Sequence, residues 1–384
     1  MKRLLVTTLF IFSCVSYGVA RVKVRINGSV DSHIVNVTEK IKEEKKAHKK
    51  VHSNEIITDA YLKFHINGIN SDLKYGGMIK LNANTSKSKK EILSNSESKF
   101  IEQMMVYLEG RYGHVEVGSY TGISNAMKVD ASTFASATGG INSNSMYIAS
   151  SYNRMFLQTP NLPTNELGTV GINEINATKI NYYTPEFSGF RIGISYIPDL
   201  KVHDNTESAN TVYSNGFKNI IEAGLSYIGE VKNIGVKLAT VGEFGRNKQH
   251  HNKKLNAWNT GINISYQGFI IGASYGKNKH NVLRASSHQY TNQYAKTNYW
   301  TTGIGYEYGP ISTSITHLQS KMDIVMNKKA NTFRNTVFGI DYKIASGLLS
   351  YLEFASFKMR NRPDADMKKS NQGHIFIMGI NLKF

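Results

Sequence analysis

The chain has 384 residues, with 46 Lys and Arg against 28 Asp and Glu, a formal net charge of +18. Its one cysteine, Cys14, excludes a disulfide framework and a cysteine metal site. Beyond the first twenty residues no apolar run reaches the roughly 18 residues a spanning helix needs, and there is no Pro-rich linker or helical heptad.

In chain order, Lys2 and Arg3 precede an apolar run from Leu4 to Val15 and a small-residue site at Gly18-Val19-Ala20. This reads as a secretory signal peptide, residues 1–20, cleaved after Ala20. Phe12 stands where a lipoprotein signal ending at Cys14 would carry a small residue. Cleavage leaves 44 basic and 28 acidic residues, a net charge of +16 without any cysteine. Export without cysteine points to a Gram-negative envelope protein, and the positive balance points to anionic partners.

A first alternating strand follows at "RVKVRINGSV", then hairpins at "AYLKFHINGINSDLKYGGMIKLNA" and "FIEQMMVYLEGRYGHVEVGS". From Ala177 the same unit recurs five times, as in "ATKINYYTPEFSGFRIGISYIPD" and "AWNTGINISYQGFIIGASYG". With the final strand "GHIFIMGINLKF", the seven hairpins and the first strand predict sixteen strands. Short turns alternate with eight longer polar stretches, near 37–54, 85–99, 120–174, 199–218, 244–255, 277–296, 321–332 and 359–372. An even number of antiparallel strands with short and long connections in alternation is the pattern of an outer-membrane β-barrel.

Parity within each strand then separates lipid from lumen. Val22, Val24 and Ile26 oppose Lys23, Arg25 and Asn27; Leu62, Phe64 and Ile66 oppose Lys63, His65 and Asn67. A mean hydropathy of −0.34 is no objection, because a barrel spreads its apolar surface over alternate residues. Phe187, Phe190, Tyr266, Phe269, Tyr306 and Tyr308 flank short turns, while Trp258, Trp300, Tyr196 and Tyr275 lie at the opposite strand ends. Such aromatic residues suit headgroup depth at both faces. The last strand is expected to close the cylinder against Arg21–Val30, which leaves no sheet edge.

The segments "YLEGRYGHVEVGSYTG" and "INYYTPEFSGFRIGISY", together with the strand ending on Phe384, resemble a trimeric general porin of the Gram-negative porin superfamily over residues 21–384. The resemblance implies an all-β, 16-stranded antiparallel transmembrane barrel whose long third loop, about 120–174, folds inward and constricts the bore. It also implies a homotrimer in the outer membrane. The alternating Phe376, Met378, Ile380, Leu382 and Phe384 resemble the signal read by the outer-membrane assembly machinery. Family loops usually set acids against basic residues on the facing wall. This chain has Ser119 where a basic residue is common, and Asp130 is the sole loop acid before Glu166.

No bond-breaking chemistry is called for, so pore residues act by size and charge. The pore-lining and constriction residues expected from parity and the resemblance are Lys23, Arg25, Lys63, Lys80, Glu109, Glu116, Asp130, Lys179 and Arg191. Lys74, Lys237 and Lys343 add to the basic side; Glu222, Glu307, Asp341 and Glu353 add to the acidic side. The basic excess predicts a weakly anion-selective pore.

The segment Glu39–His52 carries six lysines but no aromatic interleaving, so it reads as an outer loop meeting lipopolysaccharide phosphates rather than nucleic acid. His250 and His251 sit among lysines without a third ligand at metal spacing. No phosphate-binding, zinc-protease or nucleophile-elbow motif occurs, and no cofactor is expected. The expected function is passive diffusion of ions and small hydrophilic solutes. The alternative is a plugged barrel that anchors adhesive loops.

Overall fold

The computed structural model describes residues 22–43, 46–82, 101–131, 134, 140–142, 147–148, 159–164, 177–199, 217–247, 254–282, 294–324, 330–361 and 369–384. The expected signal peptide and the His250-His251 pair lie outside them.

Sixteen antiparallel strands form one closed barrel in simple up-and-down order. They are β1 Lys23–Glu43, β2 Lys46–Asn70, β3 Leu73–Asn82, β4 Ile101–Gly110, β5 Gly113–Ser119, β6 Thr178–Tyr183, β7 Phe190–Asp199 and β8 Phe217–Val231. The second half comprises β9 Ile234–Asn247, β10 Lys254–Tyr266, β11 Phe269–Val282, β12 Tyr294–Tyr308, β13 Ile311–Ile324, β14 Asn331–Ala345, β15 Leu348–Asn361 and β16 Lys369–Lys383. Every strand expected from alternation is present.

The alternation explains the architecture. On β14, Asn331, Phe333, Asn335 and Val337 are buried inside, while Arg334, Thr336 and Phe338 face out. Ile192, Ile194, Ile271, Ile304, Ile315 and Leu352 are all exposed on the outer face. Burying that band requires lipid, and in lipid only a closed sheet satisfies every strand's backbone groups. Tight turns set the register at one rim. Lys232 and Asn233 both adopt positive φ (50° and 65°), the two-residue geometry that matches strand twist.

Closure joins β1 to β16 from Ser29↔Lys383 to Glu43↔Lys369. Gly28 and Phe384 exchange both backbone hydrogen bonds, at 2.8 and 3.1 Å. The seam therefore lies higher on the first strand than Arg21–Val30, and Lys23–Asn27 pair with β2. Phe376, Met378, Ile380, Leu382 and Phe384 face outward, each 41–58% exposed.

Two expectations need correction. The stretch 37–54 is not a solvated coil: β1 and β2 continue as a paired hairpin, Val37↔Ser53 through Glu43↔Lys46. Strands β9 to β15 likewise run into the stretches expected as loops. Nor is the interior uniformly polar. Val35, Val37, Val337, Ala355, Phe357, Ile375 and Ile377 point inward and form one buried apolar cluster with Ile141, Tyr147 and Ile148 of the long loop.

Candidate functional site: an inward loop and an open basic wall

The segment after β5 turns into the barrel because its residues fit the inner wall. A one-turn helix, α1 (Ile123–Ala126), starts at Gly122. Ile123 and Met127 lie against Gly193 and Gly224, which are directly paired on β7 and β8. A Cβ on Gly193 would come within 2.5 Å of the Met127 sulfur. Further on, a Cβ on Gly261 would strike the Val129 carbonyl, one on Gly272 would meet Phe134, and Gly303 faces Ala131. Glycines on β7, β8, β10, β11 and β12 thus form a track along which the loop backbone lies close to the wall.

Two polar clamps hold the loop. Glu222 and Glu243 are directly paired on β8 and β9 and are fully buried. Ser124 donates its backbone N–H to Glu222 (3.2 Å) and its hydroxyl to Glu243 (2.7 Å). Thr164 donates its backbone N–H to Glu243 (3.1 Å), and its hydroxyl lies within hydrogen-bond distance of both carboxylates. One pair of wall acids therefore grips the outgoing and the returning limb. Lys179, 2% exposed, supplies the opposite charge that acts on both. Lys128 links the limbs again, donating to the Pro160 carbonyl and to Asn161.

The second clamp stands at the closure seam, eight strands around the ring from β8. His33 Nε2 lies 2.8 Å from Tyr147 Oη, and His33 Nδ1 lies 2.6 Å from Asp31. Asp31 also accepts from Tyr351 (2.8 Å) and Asn381 (2.8 Å). Burial and the nearby carboxylates of Asp59 and Asp31 hold the Tyr147 phenol above its ordinary range, so it remains neutral and can serve as a donor. A short 3-10 turn at Gly140–Asn142 packs on β13, β14 and β15 between the clamps.

The inner wall of β1 to β4 nearest the short turns contrasts with these packed regions. Lys23 and Arg25 are exposed, and Lys63, His65 and Lys80 are half-buried. Lys63 and Lys80 are directly opposed across β2 and β3, and both ammonium groups approach the Tyr61 ring, at 5.1 and 4.7 Å. Lys80 pairs with Glu102 (2.8 Å), and Lys74 with Glu109 (2.8 Å). Among the described residues Lys23, Arg25 and Lys63 make no ion pair. Lys63 shares the field of the Glu102 carboxylate that Lys80 holds, and Lys23 and Arg25 stand at the strand end.

The expected residues therefore divide. Lys23, Arg25, Lys63, Lys80 and Glu109 line the open wall. Glu116, 9% exposed, accepts from Asn181 (2.9 Å) beside His114 (3.0 Å). Arg191 stacks on Tyr183 (4.8 Å) and donates to the Thr184 carbonyl (3.3 Å) near a turn. Lys179 belongs to the carboxylate clamp, and Asp130 pairs with Lys128 of its own loop (2.9 Å) instead of facing a basic wall. Glu243, Asp31, His33 and Tyr147 went unnoticed in the sequence. Parity alone places Asp31, His33 and Glu243 inward, but nothing local announces their loop partners. No cluster of His, Cys, Asp and Glu among the described residues could hold a metal ion.

The sequence profile described as Gram-negative porin matches residues 6–362. An uncharacterised protein of Rickettsia bellii is 27% identical over 342 residues, covering 73% of this chain and 75% of its own length. A Rickettsia prowazekii relative is 26% identical with the same coverage. Among solved structures, the outer membrane channel DcaP of Acinetobacter baumannii superposes with a TM-score of 0.60 at 12% identity, over 94% of this chain and 97% of that one. The anion-selective porin from Comamonas acidovorans gives 0.58 at 15% identity, over 95% and 100%. At such identities these structures speak to the fold alone. With a profile match over nearly its whole length and the barrel that goes with it, the chain belongs to the Gram-negative porin family.

Proposed function

We propose that this barrel is a water-filled outer-membrane channel for passive diffusion of ions and small hydrophilic solutes, with a weak preference for anions. The family and fold support diffusion in general. The preference rests on one observation: the part of the β1–β4 wall nearest the short turns carries Lys23, Arg25 and Lys63 without an ion pair among the described residues, whereas Glu102 and Glu109 there are engaged by lysines and the other inward acids of β1 and β2, Asp31, Glu39, Glu55 and Asp59, lie further along the strands. Fixed positive charge beside water raises the local anion concentration. The described part of the loop after β5, held at both clamps, narrows the path to a lane along that wall.

The same reading includes export through a leader at residues 1–20, delivery by the assembly machinery through the strand ending at Phe384, and a homotrimer. Swelling of proteoliposomes with sugars of graded size tests it. Permeation that falls with solute size supports a constricted diffusion pore. A barrel that admits no sugar would favour the surface-anchor reading, for which the β1–β2 hairpin is the feature of interest: Lys50 stands sixteen residues beyond Ile66, about 40 Å up a tilted strand.

A further inference from the structure

The inner wall of β1 to β4 changes sign along its strands. The inward residues of β1 and β2 form directly opposed pairs, from Lys23↔Asn67 and Arg25↔His65 through Asp31↔Asp59 to Val35↔Glu55. Nearest the short turns stand Lys23, Arg25, Lys63 and, opposite Lys63 on β3, Lys80; the acids there, Glu102 and Glu109, are each held by a lysine. Farther along come Asp31, Asp59 and Glu55. From Ser29 to Glu39 on β1 and from Asp59 to Val51 on β2 no inward residue is Lys or Arg. A basic zone and an acidic zone thus follow one another in series along one face of the bore.

Lys63 and Asp59 set the spacing of the zones. They lie four residues apart on β2, a step of about 13 Å at about 3.3 Å per residue. Tyr61 stands midway, with both ammonium groups near its ring (5.1 and 4.7 Å) and Asn82 directly paired with it on β3. Lys63, Tyr61, Asp59 and Glu55 are all half-buried, so none is sealed from the bore. The acids also reach inward electrostatically: Asp59, Asp31 and Glu55 all act on the phenol of Tyr147 on the inward loop.

Two zones in series sort solutes by the number and spacing of their charges. The Debye length at physiological salt is about 8 Å, shorter than the step between the zones, so each zone acts on its own. A simple anion is drawn to the lysines and repelled at the aspartates, and a simple cation meets the reverse. A solute that carries a carboxylate and an ammonium at this spacing satisfies both zones at once. An extended peptide advances about 3.3 Å per residue, so three or four residues set its termini about 10 to 13 Å apart. Between the zones, Tyr61 and Asn82 offer polar groups to its amides.

We infer that the lane along β1 to β4 favours elongated zwitterions, the class of unblocked tri- and tetrapeptides, with the carboxylate toward Lys63 and Lys80 and the ammonium toward Asp59 and Glu55. The inference rests on the diffusion reading. Entry into KCl-loaded proteoliposomes at about pH 6.5, where an α-amino group is protonated, tests it with tetraglycine, N-acetyl-tetraglycine, tetraglycine amide and the doubly blocked peptide, with arabinose as reference. Tetraglycine is expected to enter about threefold faster than any blocked form. The variant E55Q/D59N is expected to bring the N-acetyl form level with tetraglycine, and K63Q/K80Q the amide. A preference for anions alone would put the N-acetyl form first. An N-acetyl form as fast as tetraglycine in the unmodified protein, or a tetraglycine advantage that survives both variants, would overturn the inference. The comparison of the four peptides on the unmodified protein decides the matter even where a variant does not fold. Entry of arabinose without a tetraglycine advantage sinks this inference alone, whereas a barrel that admits neither sinks the diffusion reading with it.

Discussion

His33 and Tyr147 are 114 residues apart in the chain, and their ring nitrogen and phenol oxygen meet at 2.8 Å inside the barrel. The contact ties the far part of the inward loop to the seam where β1 meets β16. Its counterpart, the Glu222–Glu243 pair, holds both limbs eight strands away. Anchors at two opposed points limit how far the loop residues held there can shift across the bore.

Replacing Tyr147 with Phe removes one buried hydrogen bond and leaves the His33 ring nitrogen without its partner, at a cost of about 1–3 kcal/mol. The barrel is expected to keep its heat-modifiable gel migration while open-channel current noise rises. Single-channel recordings as quiet as those of the unmodified protein would show that the seam clamp does not hold the loop.

The same phenol gives a pH dependence. Burial raises its ionisation above the ordinary tyrosine value of about 10, so its stabilisation is complete below that pH and is lost as pH climbs past it. Current noise is therefore expected to be flat from pH 7 to 9 and to increase above about 10 in the unmodified protein. In Tyr147→Phe this alkaline rise should be absent. A rise that persists in the variant would assign the effect to another group.

Glu243→Ala takes away one of two carboxylates that face the buried Lys179 and removes acceptors for Ser124 and Thr164. Leaving those buried donors without an acceptor costs about 1–3 kcal/mol each, here borne by the loop seat more than by the backbone ladder. Protease is expected to cut the variant within residues 120–174 while the rest of the barrel stays intact. Resistance equal to that of the unmodified chain would contradict a clamping role.

Lys63→Glu reverses a charge on the open wall without touching either clamp. The reversal potential in a KCl gradient is expected to move toward cation preference, and Lys23→Gln to move it less, because Lys23 lies at the strand end. An unchanged potential in Lys63→Glu would mean that ions pass along another side of the bore.

Much of the barrel was legible because its physics is local. A strand facing lipid on one side repeats every two residues, and a tight turn needs residues that tolerate its dihedrals, so the hairpin around Lys232–Asn233 announced itself. The limits of the strands were not legible: Lys and Glu in 39–50 read as loop, yet the hairpin carries them in register. Ile375 and Ile377 show a second gap. They alternate with the outward Phe376 and Met378 in a continuous apolar run, and such a run marks a strand buried on both faces. The loop's partners stayed hidden because each joins residues tens to hundreds of positions apart. The glycine track was in view, but turns and strands both use glycine, and only the packed loop reveals why Gly193 and Gly261 have no side chain.

The central claim is that water and ions pass through this barrel beside the inward loop. Recording single channels of the refolded protein in planar bilayers under a KCl gradient tests it most directly. Discrete, ohmic steps with a reversal potential displaced modestly toward chloride are the expected result. Bilayers that contain folded protein yet show no steps would contradict the claim.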